Sequence, residues 1–360
     1  MKNIYRFIIE KYEKIPGLAL ATIISSSGSA PQKEGASALL SSNGLEAGTV
    51  GGGALEETVK YAAIKSITEK RPVIISVNLE NSTEDYESAI CGGTVSVLID
   101  PTILEKPDFI TDLKEIIKRN VPFSVVTLIY PAEGEQVRTE KYILAKNFSC
   151  ENIPQKYRDL LAAESEKLLM NKDAGSLVLI DSGNFTGEEK VFAVIEPIFP
   201  APSLIIAGAG HIGKALSHLG RFLGFEVTVI DDRPEFANPA NLPDADKIIT
   251  DEIGPALGKI KKDSNTYIVI VTRGHARDAE ALRECIGSNA AYIGMIGSRT
   301  KVEKMHQDFI SKGWATEQQW ARIHAPIGVK INSRSVEEIA VSIAAELIMI
   351  KNNNNTQGKI

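Results

Sequence analysis

The sequence predicts an α/β protein in two parts, an N-terminal mixed α/β domain and a C-terminal Rossmann-type doubly wound parallel sheet. Three observations carry this: a length of 360 residues, a strand-loop-helix-strand signature from Leu204 to Asp231, and the break FPAPS with Pro200 and Pro202. A chain this long exceeds one ordinary core, and closely spaced prolines resist both helix and sheet pairing. The division follows: residues 1–200, residues 201–350, and a tail over 351–360, rich in Asn and expected to be disordered.

In the first part, MKNIYRFIIEKYEK scatters charges among apolar residues and reads as a helix, not a secretory leader. GLALATIISS reads as a strand entering the turn-rich loop SGSAPQKEG. ASALLSS and LEAGTV flank Asn43-Gly44, a hairpin signal, and Gly51-Gly52-Gly53 follows at once. From Ala54 the apolar spacing turns helical, with Glu56 and Glu57 in the first turn, and the helix stops before Pro72. PVIISVNL reads as a strand, NSTEDYESAI as an acidic loop, and CGGTVSVLID as a strand opened by Cys91-Gly92-Gly93. A helix FITDLKEIIKR, strands FSVVTLIY, SLVLIDSG and VFAVIEPI, and a helical stretch from Tyr157 to Met170 complete this part.

Beyond Pro202, LIIAGA, HIGKALSHLGRFLG, EVTVID, KIIT, YIVIVT, DAEALRECIG, AYIGMIG and SRTKVEKMHQDFISKG alternate as a parallel sheet requires. SVEEIAVSIAAELIMIKN closes it as an amphipathic helix.

Composition is near the globular average. A net charge of −6 and a pI near 5.6 argue against a nucleic-acid partner, which needs clustered Lys and Arg. No apolar run is long enough to span a bilayer. Cys91, Cys150 and Cys285 lack paired spacing, against a disulfide framework or structural zinc, and a reducing cytoplasm is the expected compartment.

Gly208-Ala209-Gly210-His211-Ile212-Gly213 matches G-x-G-x-x-G between a strand and a helix, with Asp231 closing the next strand. In that pattern Gly208 permits the turn, Gly210 lets a pyrophosphate approach, Gly213 allows close packing, and the helix N-terminus attracts negative charge. Asp231 favours an unphosphorylated ribose, while Arg233 could reach a 2′-phosphate; NAD is favoured over NADP. Loops after later strands face the same crevice. There His275 is a candidate for proton transfer with Asp278 orienting it, or a plain loop histidine beside a helix-capping Asp. Ser298 and Arg299 suit a phosphate or carboxylate, and His324 to Gly328 is placed to close the site. His218 and His306 read as structural.

Gly51-Gly52-Gly53 lies between a strand and a helix N-terminus, where backbone amides can cradle an anion; Ser27, Ser29, Gln32 and Glu56 are candidate lining residues. A sharp structural turn is the competing reading. Cys91, beside Gly92 and Gly93, is in a setting that suits a thiolate able to bind a soft metal. Cys285 reads as buried and Cys150 as a loop residue.

Together these motifs resemble the XdhC/CoxI family of xanthine dehydrogenase accessory proteins over nearly the whole chain. GSAPQKEGASALLSSNGLEAGTVGGGALEE is similar to that family's N-terminal signature, AICGGTVSVLI to its CGG strand, and LIIAGAGHIGKAL through PIGVKINSRSVEEIAVSIAAE to its Rossmann region. The resemblance implies transient binding of molybdenum cofactor, sulfuration with a cysteine desulfurase, and delivery to a xanthine dehydrogenase-type molybdenum hydroxylase, by a protein expected to be a homodimer. It makes Gly51 to Gly53 the expected contact for the pterin phosphate and Cys91 a contact for molybdenum. The family often carries Cys directly after the triple glycine; here Ala54 stands in that place. Two other readings remain open: an NAD(P)-dependent oxidoreductase using His275 and Asp278, and a nucleotide-sensing regulatory module.

Overall fold

The computed structural model describes residues 4–11, 14–15, 17–28, 30, 32–79, 93–132, 136–148, 152–171, 176–180 and 191–356, with 176–180 and 353–356 described by backbone alone. The chain divides into two compact units, Met1–Pro200 and Ala201–Ile360.

The first unit runs α1 (Ile4–Lys11), β1 (Leu18–Gly28), β2 (Ser37–Ser41), β3 (Gly44–Gly48), α2 (Gly53–Glu69), β4 (Val73–Asn78), β5 (Gly93–Asp100), α3 (Pro107–Arg119), β6 (Phe123–Pro131), β7 (Val137–Leu144), α4 (Gln155–Asn171), β8 (Ser176–Ile180) and β9 (Val191–Ile198). These strands form two antiparallel sheets, ordered β3-β2-β1-β5-β4 and β7-β6-β9-β8. The expected hairpin at Asn43-Gly44 joins β2 to β3. Because side chains alternate along a strand, each sheet has two faces to bury. Ala19, Ala21 and Ile23 of β1 pack with Leu55, Val59 and Ala63 of α2, whereas Leu18 and Leu20 join α1, α3 and the β6 residues Phe123 and Val125. Ile24, Leu98, Ile129 and Val194 bring the two sheets together, and Val126 and Leu128 meet Tyr157 and Leu161 of α4.

The second unit runs β10 (Ser203–Ala207), α5 (His211–Phe222), β11 (Glu226–Asp231), β12 (Lys247–Thr250), α6 (Ile253–Lys259), β13 (Thr266–Ile270), α7 (His275–Arg283), β14 (Tyr292–Met295), α8 (Arg299–Ser311), α9 (Glu317–Trp320), β15 (Ile323–His324) and α10 (Val336–Thr356). Its six strands are all parallel, in the order β12-β11-β10-β13-β14-β15. The chain steps outward from β10 to β12, then restarts at β13 on β10's other side, which is the Rossmann topology with its switch point between β10 and β13. Buried clusters cover both sheet faces, one with α6 to α8 and one with α5 and α10, so the strands are continuously apolar.

The last helix, expected over SVEEIAVSIAAELIMIKN to Asn352, runs from Val336 through Thr356, four residues further. Its hydrogen-bonded ladder propagates more readily than it nucleates, and Asn is a tolerable helix residue. Residues 357–360 lie outside the described residues. Among the described residues no helix is long and apolar enough to cross a membrane.

Candidate functional sites

In the second unit, every loop leaving the carboxyl end of a strand emerges on one edge of the sheet because the strands are parallel. That edge gathers Gly208 to His211, Asp231 to Arg233, Thr272 to His275, and Ser298 with Arg299. The glycines have separate physical reasons. A Cβ on Gly208 would lie 2.5 Å from the Val271 carbonyl oxygen, and one on Gly213 would lie 1.9 Å from that of Gly208. Gly210, the N-cap of α5, has open space where its Cβ would be. The first and third glycines thus hold the loop together, and the second leaves room for a ligand.

Asp231 is not left free at this edge. Its carboxylate accepts from the Ala209 N–H (2.7 Å) and from the Arg233 N–H (3.1 Å), Nε (2.8 Å) and Nη2 (2.9 Å). Burial alone would raise its carboxyl, but Arg233 and the two amides hold it below the usual carboxylate range. Asp232 is engaged as well, by Arg273 at 3.2 Å and by Arg277. Sequence reasoning missed Asp232, Arg277 and Lys301; the signal was there, in the basic residues Arg273 and Arg277 four apart opposite an Asp pair.

The expected orienting bond between Asp278 and His275 is not formed. Asp278, fully buried, accepts from Thr272 Oγ1 at 2.6 Å and Lys301 Nζ at 2.7 Å, because a buried carboxylate is stabilised best by a cation and a hydroxyl aimed at it. His275 opens α7 with a buried Nδ1 that has no hydrogen-bond partner. Ser298 caps α8 by accepting from the Lys301 N–H, and Arg299 is exposed beside it. His324 lies instead in a network with Glu346 and Tyr292. Of the histidines read as structural, His218 is exposed and paired with Asp244, and His306 stacks on Trp320. Cys285 is buried, which pushes its thiol up to about 12.

In the first unit the strand directions bring the glycine corners to one end of a sheet. The carboxyl ends of β1, β3 and β4 and the amino ends of β2 and β5 all lie there. Gly28 pairs in register with Gly93, and Gly51 to Gly53 follows β3 at the same end. All three of those glycines have positive φ, 127°, 75° and 58°, a run that L residues with side chains resist. It turns the chain into α2 with no side-chain cap. Glu56, in the first turn, has a buried Oε1 without a hydrogen-bond partner, and the Cβ position of Gly53 is open. Uncapped amides, the helix dipole and an unpartnered buried oxygen together fit a polar ligand with anionic and donor groups. Ala54 is exposed in the first turn of α2. Cys91, Gly92 and Ser29 lie outside the described residues; Gly93 opens β5. Among the described residues no group of three or more His, Cys, Asp or Glu is placed to hold a metal ion.

Residues 17–78 match the model of the XdhC and CoxI family, and residues 204–347 match that of the XdhC Rossmann domain. The chain is 33% identical over 153 residues to the uncharacterized protein YqeB of Escherichia coli (strain K12), a match spanning 42% of this chain but only 28% of that protein. It is 25% identical to a probable xanthine dehydrogenase subunit of Bacillus subtilis (strain 168), over 98% of each chain. It is 20% identical to the molybdenum cofactor insertion chaperone PaoD of E. coli (strain K12), over 97% of this chain and 88% of that one. The crystal structure of a xanthine dehydrogenase from Bacillus halodurans shares the fold, with a TM-score of 0.73 at 24% identity over 98% of this chain and 96% of that one.

Proposed function

The chain belongs to the XdhC and CoxI family, and from that premise we propose that it is an accessory protein that transiently holds molybdenum cofactor as cargo and passes it to a xanthine dehydrogenase-type molybdenum hydroxylase. The observation that carries this reading is the glycine corner: Gly51 to Gly53 at the uncapped start of α2, with the unpartnered Glu56 oxygen and the Gly28–Gly93 pair at the same sheet end. In this role the α2 amides hold the pterin phosphate, and Glu56 accepts from the pterin ring. Cys91 is the proposed molybdenum contact, since Ala54 supplies no thiol. A cysteine desulfurase is the proposed sulfur donor, the cytoplasm the compartment and a homodimer the assembly.

The comparisons support this role through PaoD, whose name states insertion of the cofactor, and through the B. subtilis relative, named for xanthine dehydrogenase. A dehydrogenase reading has less support, because Asp278 is bonded to Lys301 and Thr272 and leaves His275 without its partner. A nucleotide-sensing role for the second unit is compatible with cargo handling in the first.

The test is anaerobic incubation of the full chain with molybdenum cofactor, followed by gel filtration and assay of molybdenum and pterin in the protein fraction. Retention near one equivalent is expected. Gly52→Val, which puts a β-branched residue at positive φ beside Glu56, is expected to lower retention at least tenfold with the fold intact by circular dichroism. Absence of retention by the unaltered chain overturns the reading.

A further inference from the structure

The acid that ends β11 is the group expected to accept a ribose diol, yet here it is 2% exposed and receives four hydrogen bonds from its own chain. We propose that the crevice at the carboxyl ends of β10 and β11 selects a dinucleotide whose ribose carries a phosphate monoester, with Arg233 reading that phosphate and barring an unmodified diol from Asp231.

The argument is one of competition. A neutral diol can reach Asp231 only by displacing Arg233, which exchanges a two-point ion pair for hydrogen bonds from uncharged hydroxyls and leaves the guanidinium without its partner. No second carboxylate is available at the strand end, because Asp232 is taken by Arg273 and Arg277. A phosphate meets no such obstacle. Arg233 uses Nε and Nη2 on Asp231, and its Nη1 carries no bond among the described residues. Its guanidinium lies 4.0 Å from the Phe236 ring centroid, which fixes its plane. A planar guanidinium with a free edge is suited to a phosphate oxygen. Arg273 on the loop after β13 and Arg277 in α7 are two cations on the one Asp232 carboxylate and so leave net positive charge beside it, and Gly210 keeps the pyrophosphate approach open. The favoured ligand class is therefore opposite to the one Asp231 alone would favour.

This inference concerns the unit Ala201–Ile360 and stands apart from cofactor retention at Gly51 to Gly53. It is tested by titration calorimetry of the full chain with NADP+ and NAD+. The dissociation constant for NADP+ is expected to be at least tenfold lower. Arg233→Ala should weaken NADP+ at least tenfold and tighten NAD+, because Asp231 is released to the diol. If Arg233→Ala fails to fold by circular dichroism, Arg233→Lys serves: it keeps the charge, loses the two-point grip, and should narrow the preference. NAD+ binding as tight as NADP+, no binding of either at millimolar concentration, or a preference unchanged in the folded variant would each overturn the proposal.

Discussion

The ammonium Nζ of Lys141 on β7 lies 3.3 Å from Oδ2 of Asp100 at the end of β5, and the two side chains are only 2% and 1% exposed. The pair joins residues of the unit's two sheets. Thr102 donates to Asp100 through its amide and hydroxyl, Thr139 Oγ1 donates at 3.0 Å, and Lys141 also donates to Thr127. Removing one partner strands a buried charge, at a cost of about 3–5 kcal/mol, whereas replacing both is far less harmful. Lys141→Met alone is expected to lower stability by that amount in urea titration. The double variant Asp100→Asn/Lys141→Met should recover most of the loss. Burial would raise the Asp100 carboxyl, but Lys141, Lys106 and Thr102 hold it below its ordinary value. The folded carboxylate is thus more acidic than the unfolded one, so its contribution is intact above about pH 4 and declines as pH falls below that value.

Glu196 on β9 titrates in the opposite sense. It receives the Tyr5 hydroxyl at 2.6 Å and has Ser37 Oγ 3.0 Å from its other oxygen. Burial raises its carboxyl, and the opposing effects of Lys141, Tyr5 and Ser37 do not cancel that rise. A raised carboxyl means that the folded state holds its proton longer, so stability falls as pH rises from about 4.5 toward the folded value. Glu196→Gln, which cannot ionise, should gain on the unaltered protein as pH increases. Parallel urea titrations at pH 5 and pH 8 read this directly, and an advantage that shrinks toward pH 8 contradicts it.

The same buried charges explain what the sequence concealed. β7 was not legible as a strand because its inward positions are Thr139, Lys141 and Ile143, so the apolar alternation that marks a half-buried strand is broken by a lysine whose partner, Asp100, lies on a distant strand. Helix α6 is seven residues with two glycines, and β15 is two residues, too short for periodicity to register. The fingerprint, by contrast, was legible because its spacing is local: a Cβ on Gly213 would strike the carbonyl of Gly208, five residues earlier in the same motif. What the local pattern could not show was that Asp231 would be occupied by its own neighbour, or that Asp278 would turn to Lys301 in place of His275. Both depend on side-chain competition across loops that only the folded sheet edge assembles.

Two of the fingerprint glycines should separate stability from binding. Gly213→Ala drives a Cβ into the Gly208 carbonyl, against backbone that cannot yield, and is expected to cost about 3 kcal/mol or more. Gly210→Ala meets nothing in the protein and should shift the thermal midpoint little. It should nevertheless weaken NADP+ binding at least tenfold, because the added methyl occupies the pyrophosphate approach. Thermal unfolding and calorimetry on the same two variants check both halves; equal destabilisation by the two substitutions contradicts the assignment.

Glu346 ties the final helix to the edge of the parallel sheet. One carboxylate oxygen receives the Tyr292 hydroxyl and, at 2.8 Å, the Gly328 N–H, while the other lies 3.2 Å from His324 Nδ1. Burial would raise this carboxyl, but His324, Tyr292 and Gly328 hold it below its ordinary value, so it stays a charged acceptor at neutral pH. Tyr292 is 1% exposed and cannot turn to water. Glu346→Ala therefore leaves a buried hydroxyl and an amide without an acceptor, at a cost of about 2–4 kcal/mol. Tyr292→Phe removes the hydroxyl that Glu346→Ala would orphan, so the double variant should be less destabilised than the sum of the two single changes. A coupling energy of about 1 kcal/mol or more in the urea-titration cycle is expected. Strict additivity would mean that the Tyr292 hydroxyl is satisfied elsewhere and that Glu346 holds α10 through Gly328 and His324 alone.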